Sequence, residues 1–453
     1  MSQNSQTQKN ISRRKALKYL GLGVLGAAGA FALAKSSLFT NVKKEAEEGT
    51  LQMATRLDKG ANQNISLLGF GCMRFPTNEV ENANGKKEKV IDMERSAKLV
   101  DYAYAHGVNY YDTAYNYHKQ KSGEAIGTLL KKYPRESFYL ANKMPTWLIT
   151  GKAKAEEIFQ EQLDKCQVEY FDYYLLHSLS DRESYDKVYE TYGVYDYLLE
   201  EKAKGRIKRL GFSFHGDNAL FDYLLAKHEW DFVQLQINYI DWKEQDAEYL
   251  YGELEKRNIP CIVMEPLKGG MLATLNPDAD AILKAARPDD TVASWAFRYA
   301  GSLPGVISVL SGMTEMEHLQ DNVRTYSSFT PLTDAERDTL AQAVAAFLKF
   351  KQIGCTACKY CMPCKYGVDI PAVFAAYNKC VKESNIPDME GARDGAFNKK
   401  KRAFLATYYN MVPEGSRAER CTACGKCAPI CPQKLDISGM MQNIKKMVAE
   451  LEK

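Results

Sequence analysis

Asn109-Tyr110-Tyr111-Asp112-Thr113-Ala114-Tyr115-Asn116-Tyr117 decides how this chain folds. Its first half reads as a buried strand whose aromatic residues lead into Asp112. Its second half leaves the strand and sets a phenol, Tyr117, just beyond that carboxylate. Strand-like and helix-like segments alternate on either side, the pattern of a parallel α/β fold. Strands are expected at residues 65–71, 109–112, 138–143, 173–177, 207–213, 232–238, 260–265 and 305–310. Helices are expected at 95–105, 122–130, 154–166, 219–227, 247–257, 292–300 and 316–323, with a longer excursion at 178–204. Eight such strands predict a (β/α)8 or TIM barrel over residues 51–330.

Catalytic groups of such barrels collect at the C-terminal ends of the strands. Asp112, Lys143 and His177 end three consecutive strands, and Tyr117 lies in the loop after one of them. A lone buried Asp–Lys pair is ordinarily a structural ion pair, and a lone His after an apolar strand is ordinarily a packed core residue. Four such residues at one rim suit proton chemistry instead. In order and spacing they resemble the catalytic tetrad of the aldo-keto reductase family, and Gly123-Glu124-Ala125-Ile126-Gly127 resembles that family's segment after the tetrad Tyr. Tyr117 would donate a proton to a carbonyl oxygen as hydride reaches the carbon. An isolated phenol titrates near ~10, so Lys143 is expected to lower that value by favouring the phenolate. Asp112 would hold Lys143, and His177 would orient the carbonyl. His118 reads as a bystander.

The resemblance also implies a nicotinamide site. Leu210-Gly211-Phe212-Ser213-Phe214-His215 resembles the family segment whose Ser and Asn hold the carboxamide, with Phe214 in place of the Asn. Gln234 would be the amide partner in the next segment, where Ile237 replaces an aromatic residue; Met264 stands where a Tyr stacks on the ring. Pro266-Leu267-Lys268-Gly269-Gly270-Met271 is expected to cradle a phosphate, because glycines let backbone N–H groups approach an anion; a plain tight turn is the alternative. Ser311-Gly312-Met313 and Asp321-Asn322 are implied to reach the other phosphate and the adenine. Between residues 308 and 323 there is no Lys or Arg, and His318 is the sole candidate cation. A phosphate dianion needs such partners, so NAD(H) is favoured over NADP(H), or nicotinamide binding is weakened.

Eight of the twelve cysteines lie in two runs, Cys355-x2-Cys358-x2-Cys361-x2-Cys364 and Cys421-x2-Cys424-x2-Cys427-x3-Cys431-Pro432. The second is the bacterial ferredoxin ligand run, in which the distant fourth thiolate serves the other cluster. Zinc sites ordinarily use two CxxC pairs across a longer loop, so the expectation is two [4Fe–4S] clusters. Cys355, Cys358, Cys361 and Cys431 would hold one, and Cys364, Cys421, Cys424 and Cys427 the other. Lys365 follows Cys364 where Pro is usual, which leaves Cys380 as a conceivable substitute. Cys72, Cys166 and Cys261 read as packing residues. Thr333 and Glu336 form a capping-box signature, and helices are expected at 370–383, 399–409 and 438–453. Residues 331–453 are therefore expected to form a mainly α-helical ferredoxin-like domain. Aldo-keto reductases with such an appended domain form a subgroup that this chain resembles.

A net charge of +3 demands no nucleic acid, and 45% apolar residues are ordinary for a globular chain. Residues 1–50 carry Ser12-Arg13-Arg14-Lys15 before an apolar run, which resembles a twin-arginine signal with Ala16 where an aromatic is usual. Export of an already folded protein suits cluster insertion beforehand, so a periplasmic or membrane-associated location is expected; the alternative is an uncleaved anchor or a cytoplasmic start. The run Lys399-Lys400-Lys401-Arg402 is ordinarily a solvated face, or docks an acidic redox partner. The function expected is a carbonyl or alcohol oxidoreductase coupled to electron transfer through the clusters. Nicotinamide moves two electrons together and a cluster one, so direct relay needs an intermediary such as a flavin. The alternatives are an electron-transfer module whose barrel binds a ligand or partner without turnover, and clusters that only brace the C-terminal domain.

Overall fold

A computed structural model describes residues 52–82, 84–327, 329–348 and 352–453. The twin-arginine segment lies outside the described residues. Eight parallel strands close into a barrel: β1 Leu68–Gly71, β2 Tyr110–Asp112, β3 Tyr139–Pro145, β4 Phe171–Leu179, β5 Ile207–Phe214, β6 Phe232–Gln236, β7 Cys261–Met264 and β8 Val306–Ser311. Each pairs with the next in sequence, and β8 pairs with β1. Side chains on a strand alternate between faces. Tyr110, Ala141, Tyr173, Leu175, Phe232 and Ile262 therefore meet inside the barrel. The same period sends Asp112, Lys143, His177, Ser213, Gln234 and Met264 inward, two residues further toward the C-terminal mouth.

The stretch expected as one first strand, 65–71, is split. Gln63–Ser66 pairs antiparallel with Thr55–Asp58, and only Leu68–Gly71 enters the barrel. The break follows from a hydrogen bond of Leu67 N–H to the Ala54 carbonyl at 2.8 Å, which commits that residue to the hairpin side. The hairpin closes the far end of the barrel. Its buried Asp58 accepts a hydrogen bond from the Tyr173 hydroxyl at 2.8 Å and pairs with Arg209 at 2.9 Å. A second hairpin, Thr77–Glu81 with Lys87–Ile91, follows β1. The excursion after β4 holds helix Arg182–Tyr185, a π-helical turn Asp186–Thr191 and helix Val194–Ala203. Two helices were not anticipated: the single turn Asp241–Glu244 after β6, and Pro277–Ala286 after β7, capped by Asn276 with Pro277 in its first turn.

The expected capping box is present: Thr333 N–H donates to the Glu336 carboxylate at 2.9 Å, and the Thr333 hydroxyl accepts from Glu336 N–H at 3.3 Å. The helix it opens, Asp334–Leu348, packs on the barrel flank through Leu340, Ala343 and Phe347 against Leu272, Ala279 and Leu283. Helices Ile370–Lys382, Gly395–Met411 and Ile437–Leu451 build a separate core around Phe374, Phe404, Tyr408 and Val448. Among the described residues no helix is long and apolar enough to cross a membrane.

Helix Ser122–Leu130, which follows Tyr117, is seated by Gly127: a Cβ there would lie 2.4 Å from the carbonyl oxygen of Cys166, at the end of helix Lys152–Cys166. Gly127→Ala must push these helices apart. An overpacking cost of about 1–3 kcal/mol is expected, read as a lowered denaturant midpoint of the cluster-loaded protein.

Candidate active site and cysteine centres

Lys143 is the most buried member of the predicted tetrad, and its stem lies inside the barrel. Its Nζ donates to Asp112 Oδ1 at 2.5 Å, to the Thr113 carbonyl at 2.9 Å and to the Tyr117 hydroxyl at 3.4 Å. An ammonium removed from water needs such a set of acceptors. Gln234 holds the other carboxylate oxygen, donating to Asp112 Oδ2 at 3.1 Å. Tyr117 is carried by the loop after β2, where His118, Lys119 and Gln120 all adopt positive φ. The His177 ring stands edge-on to Tyr117 with centroids 6.2 Å apart. All four predicted residues are thus brought together at the mouth.

The electrostatics differ from the expectation that Lys143 acidifies the phenol. Burial, reinforced by Asp112, pushes the Tyr117 phenol well above its ordinary value. The Lys143 charge is committed to closer acceptors, so desolvation outweighs it. Burial, with Lys143 and His215 adding to it, likewise pushes His177 well below its ordinary value, leaving a neutral imidazole.

A cavity of about 590 Å³ opens over these residues, large enough for a cofactor-sized ligand. Tyr117, His177, Ser213, Gln234, Pro266, Leu267, Gly269, Gly270, Ser311, Gly312 and Asn322 all line it, as does Met264. Met313 does not: it is buried in the barrel core. Phe214 also turns away, packing on Phe221 with centroids 4.8 Å apart, so no amide replaces the missing Asn. Gly269 and Gly270 have φ of 69° and 96°, the left-handed region that favours glycine. Lys268 between them and the strand faces away, buried against Asp241 with Glu244 at 3.2 Å.

Several lining residues were missed. Arg74, after β1, packs its stem over Gly312 and lines the cavity, so a cation reaches this end from a loop remote in sequence. Glu265 is half-buried at φ 57°, its carboxyl raised above the usual range by desolvation against the opposing pull of Arg74. Cys358, Tyr360 and Gln433 line the same cavity from the C-terminal region. Gln236 and Gln433 exchange hydrogen bonds at 2.8 Å, and Arg74 Nη2 donates to the Thr356 carbonyl at 2.7 Å. A Cβ on Gly269 would lie 2.3 Å from Thr356 Cα. The first cysteine loop is therefore seated on the barrel mouth.

The two loops repeat one local design. Cys355-Thr356-Ala357-Cys358 and Cys421-Thr422-Ala423-Cys424 are the same tetrapeptide. Ala357 and Ala423 both have positive φ, as do the next non-Cys residues, Lys359 and Gly425. The N–H of Ala357 bonds the sulfur of Cys355, and that of Ala423 the sulfur of Cys421. Cys355, Cys358, Cys361 and Cys431 line one small cavity. Cys364, Cys421, Cys424 and Cys427 line another, with Cys361 at its edge. Among the described residues no three His, Cys, Asp or Glu side chains converge on a single-ion site. Four thiols spread around each of two cavities fit the donor set of a polynuclear cluster. Cys380 is buried in its helix and lines neither cavity; Cys72, Cys166 and Cys261 are buried packing residues.

Residues 67–345 match the model of the aldo/keto reductase family, and residues 354–435 match a 4Fe-4S dicluster domain. The chain belongs to the aldo/keto reductase family. It is an oxidoreductase with an iron–sulfur domain. This reductase is 23% identical over 290 residues to an uncharacterized oxidoreductase of Bacillus subtilis, covering 57% of this chain and 87% of that one. It is 25% identical over 301 residues to an NADH-specific methylglyoxal reductase of Escherichia coli, covering 56% and 90%. An aldo-keto reductase of Bacillus halodurans in its holo form shares the barrel fold with a TM-score of 0.52 at 23% identity, over 64% of this chain and 96% of that one. A Klebsiella pneumoniae aldo-keto reductase in complex with NADPH does so with a TM-score of 0.51 at 20% identity, over 66% and 95%.

Proposed function

We propose that this reductase interconverts a small-molecule carbonyl and its alcohol at the barrel mouth, with Tyr117 as general acid and base. The observation that carries this is the Asp112–Lys143–Tyr117 chain of contacts under an open cavity that His177 also lines. Bound nicotinamide would supply or accept hydride there, and two bound [4Fe–4S] clusters would store single electrons. Ser213 and Gln234, which line the cavity, would hold the nicotinamide end. Pro266, Leu267, Gly269, Gly270, Ser311, Gly312 and Asn322, which line it too, would hold the rest of a dinucleotide. The chain's own part is proton management. A phenol held protonated by burial still donates to an alkoxide, which is a stronger base than a phenolate. Lys143, 3.4 Å from the phenol, stabilises the phenolate as it forms. A neutral His177 presents a ring N–H to the same oxygen.

NAD(H) is the proposed dinucleotide, supported by the NADH specificity of the Escherichia coli relative; Arg74 is the residue through which NADP(H) would be accommodated. The protein would be exported by the twin-arginine route, associate with a membrane through its N-terminus and exchange electrons with a redox partner of the clusters. The absence of an amide at Phe214 favours the second reading, an electron-transfer module without nicotinamide turnover.

Tyr117→Phe is expected to lower carbonyl reduction about 10²- to 10⁴-fold with cluster absorbance intact. The sign of the shifts also fixes the wild-type pH profile. A raised phenol stays an acid and a lowered imidazole stays neutral, so kcat/KM is expected to be flat from roughly pH 7 to 9. Undiminished turnover in the variant removes Tyr117 from the mechanism; wild-type protein inert with nicotinamide leaves the module. For the clusters, Cys431→Ser is expected to alter one of two signals in the electron paramagnetic resonance (EPR) of the reduced protein, and Cys364→Ser the other. Both variants altering the same signal contradicts the crossed ligation.

A further inference from the structure

Tyr360 stands between two ligand thiols, in Cys358-Lys359-Tyr360-Cys361, at the position that the second loop fills with the exposed Lys426. Its side chain enters the active site. The Tyr360 hydroxyl lies 3.0 Å from His177 Nε2, and the Asn116 side chain adds a second hydrogen bond. Trp147 packs on both rings, with centroids 5.0 Å from His177 and 5.8 Å from Tyr360.

The tautomer follows from the other ring nitrogen. His177 Nδ1 is buried and has no partner. A buried N–H left unpaired is rarer than an unpaired acceptor, so the proton of the neutral ring belongs on Nε2, and the Tyr360 oxygen accepts it. That N–H is the donor a substrate carbonyl oxygen needs. We propose that Tyr360 is a specificity-determining residue supplied by the cysteine loop: its oxygen competes with the substrate's carbonyl oxygen for His177, and its ring, held by Trp147, restricts this end of the cavity to small carbonyl compounds. The proposal rests on the reductase reading and adds that the appended domain selects the substrate.

The test uses the cluster-loaded full chain with Tyr360→Phe and Tyr360→Ala, each checked for retained cluster absorbance. Phe keeps the ring and removes the competing oxygen. KM for a small aliphatic aldehyde is expected to fall roughly threefold to tenfold, as the loss of one competing hydrogen bond allows, with the change in KM rather than in kcat. Ala opens the wall, and the ratio of kcat/KM for a bulky aromatic aldehyde to that for the small one is expected to rise about tenfold. An unmoved or raised KM in the Phe variant, or an unchanged ratio in the Ala variant, overturns the proposal; a purely structural role would slow both substrates together. A second readout needs no turnover. Acetate presents an acceptor oxygen to His177, and ligand-observed NMR is expected to show it binding more tightly to Tyr360→Phe than to wild type. Equal binding sinks the competition. Tighter binding in a protein that reduces no carbonyl would remove the reductase reading and leave the competition standing.

Discussion

Two buried amides, Gln236 at the end of β6 and Gln433 beside the last ligand cysteine, exchange hydrogen bonds across the barrel mouth. Everything that joins the two halves of this reductase depends on such pairings. A buried polar group left unmade costs on the order of 1–3 kcal/mol, so each pairing made across the mouth favours this seat for the cysteine loops. The Arg74 guanidinium takes the Thr356 carbonyl, and Lys434 Nζ takes the Gly216 carbonyl at 2.9 Å. Gly269 has no side chain, which lets the Thr356 backbone close on it. Cys358 is consequently a wall of the cavity that holds Tyr117.

Burial also decides the chemistry beneath that seat. Lys143 spends its charge on Asp112 and the Thr113 carbonyl, its two nearest acceptors, and stands further from Tyr117. The ground-state phenol therefore feels the loss of water more than the ammonium. Only when negative charge develops on the phenol does Lys143 gain by its position, which is where a catalyst needs the difference.

The barrel and its tetrad were legible because they rest on short-range regularities. Period-two alternation places Asp112, Lys143 and His177 on inward faces at the strand ends, and cysteine spacing alone announced the ligand runs. The hairpin at residues 55–66 was not legible, because residues 65–71 read as one apolar run and only the Leu67–Ala54 bond breaks it. Helix Pro277–Ala286 did carry a signal, the Asn276-Pro277 start. Arg74, Glu265, Tyr360 and Gln433 were invisible for a different reason. Tyr360 meets His177 across 183 residues, and Arg74 meets Thr356 across 282; no local pattern encodes a contact made by docking. The prediction about Lys143 and the phenol failed in sign because sequence shows which charges are neighbours and not how much water remains.

The shared wall is the claim on which the account stands, and it has a direct spectroscopic reading. ADP-ribose would fill the proposed dinucleotide cavity without redox chemistry, so it can be titrated into the anaerobically reduced protein while the signals of the two proposed clusters are followed by EPR. The account predicts that one of the two cluster signals shifts as the cavity fills, the one assigned to Cys355, Cys358, Cys361 and Cys431, while the other holds. Saturation with ADP-ribose that leaves both signals unchanged would contradict it.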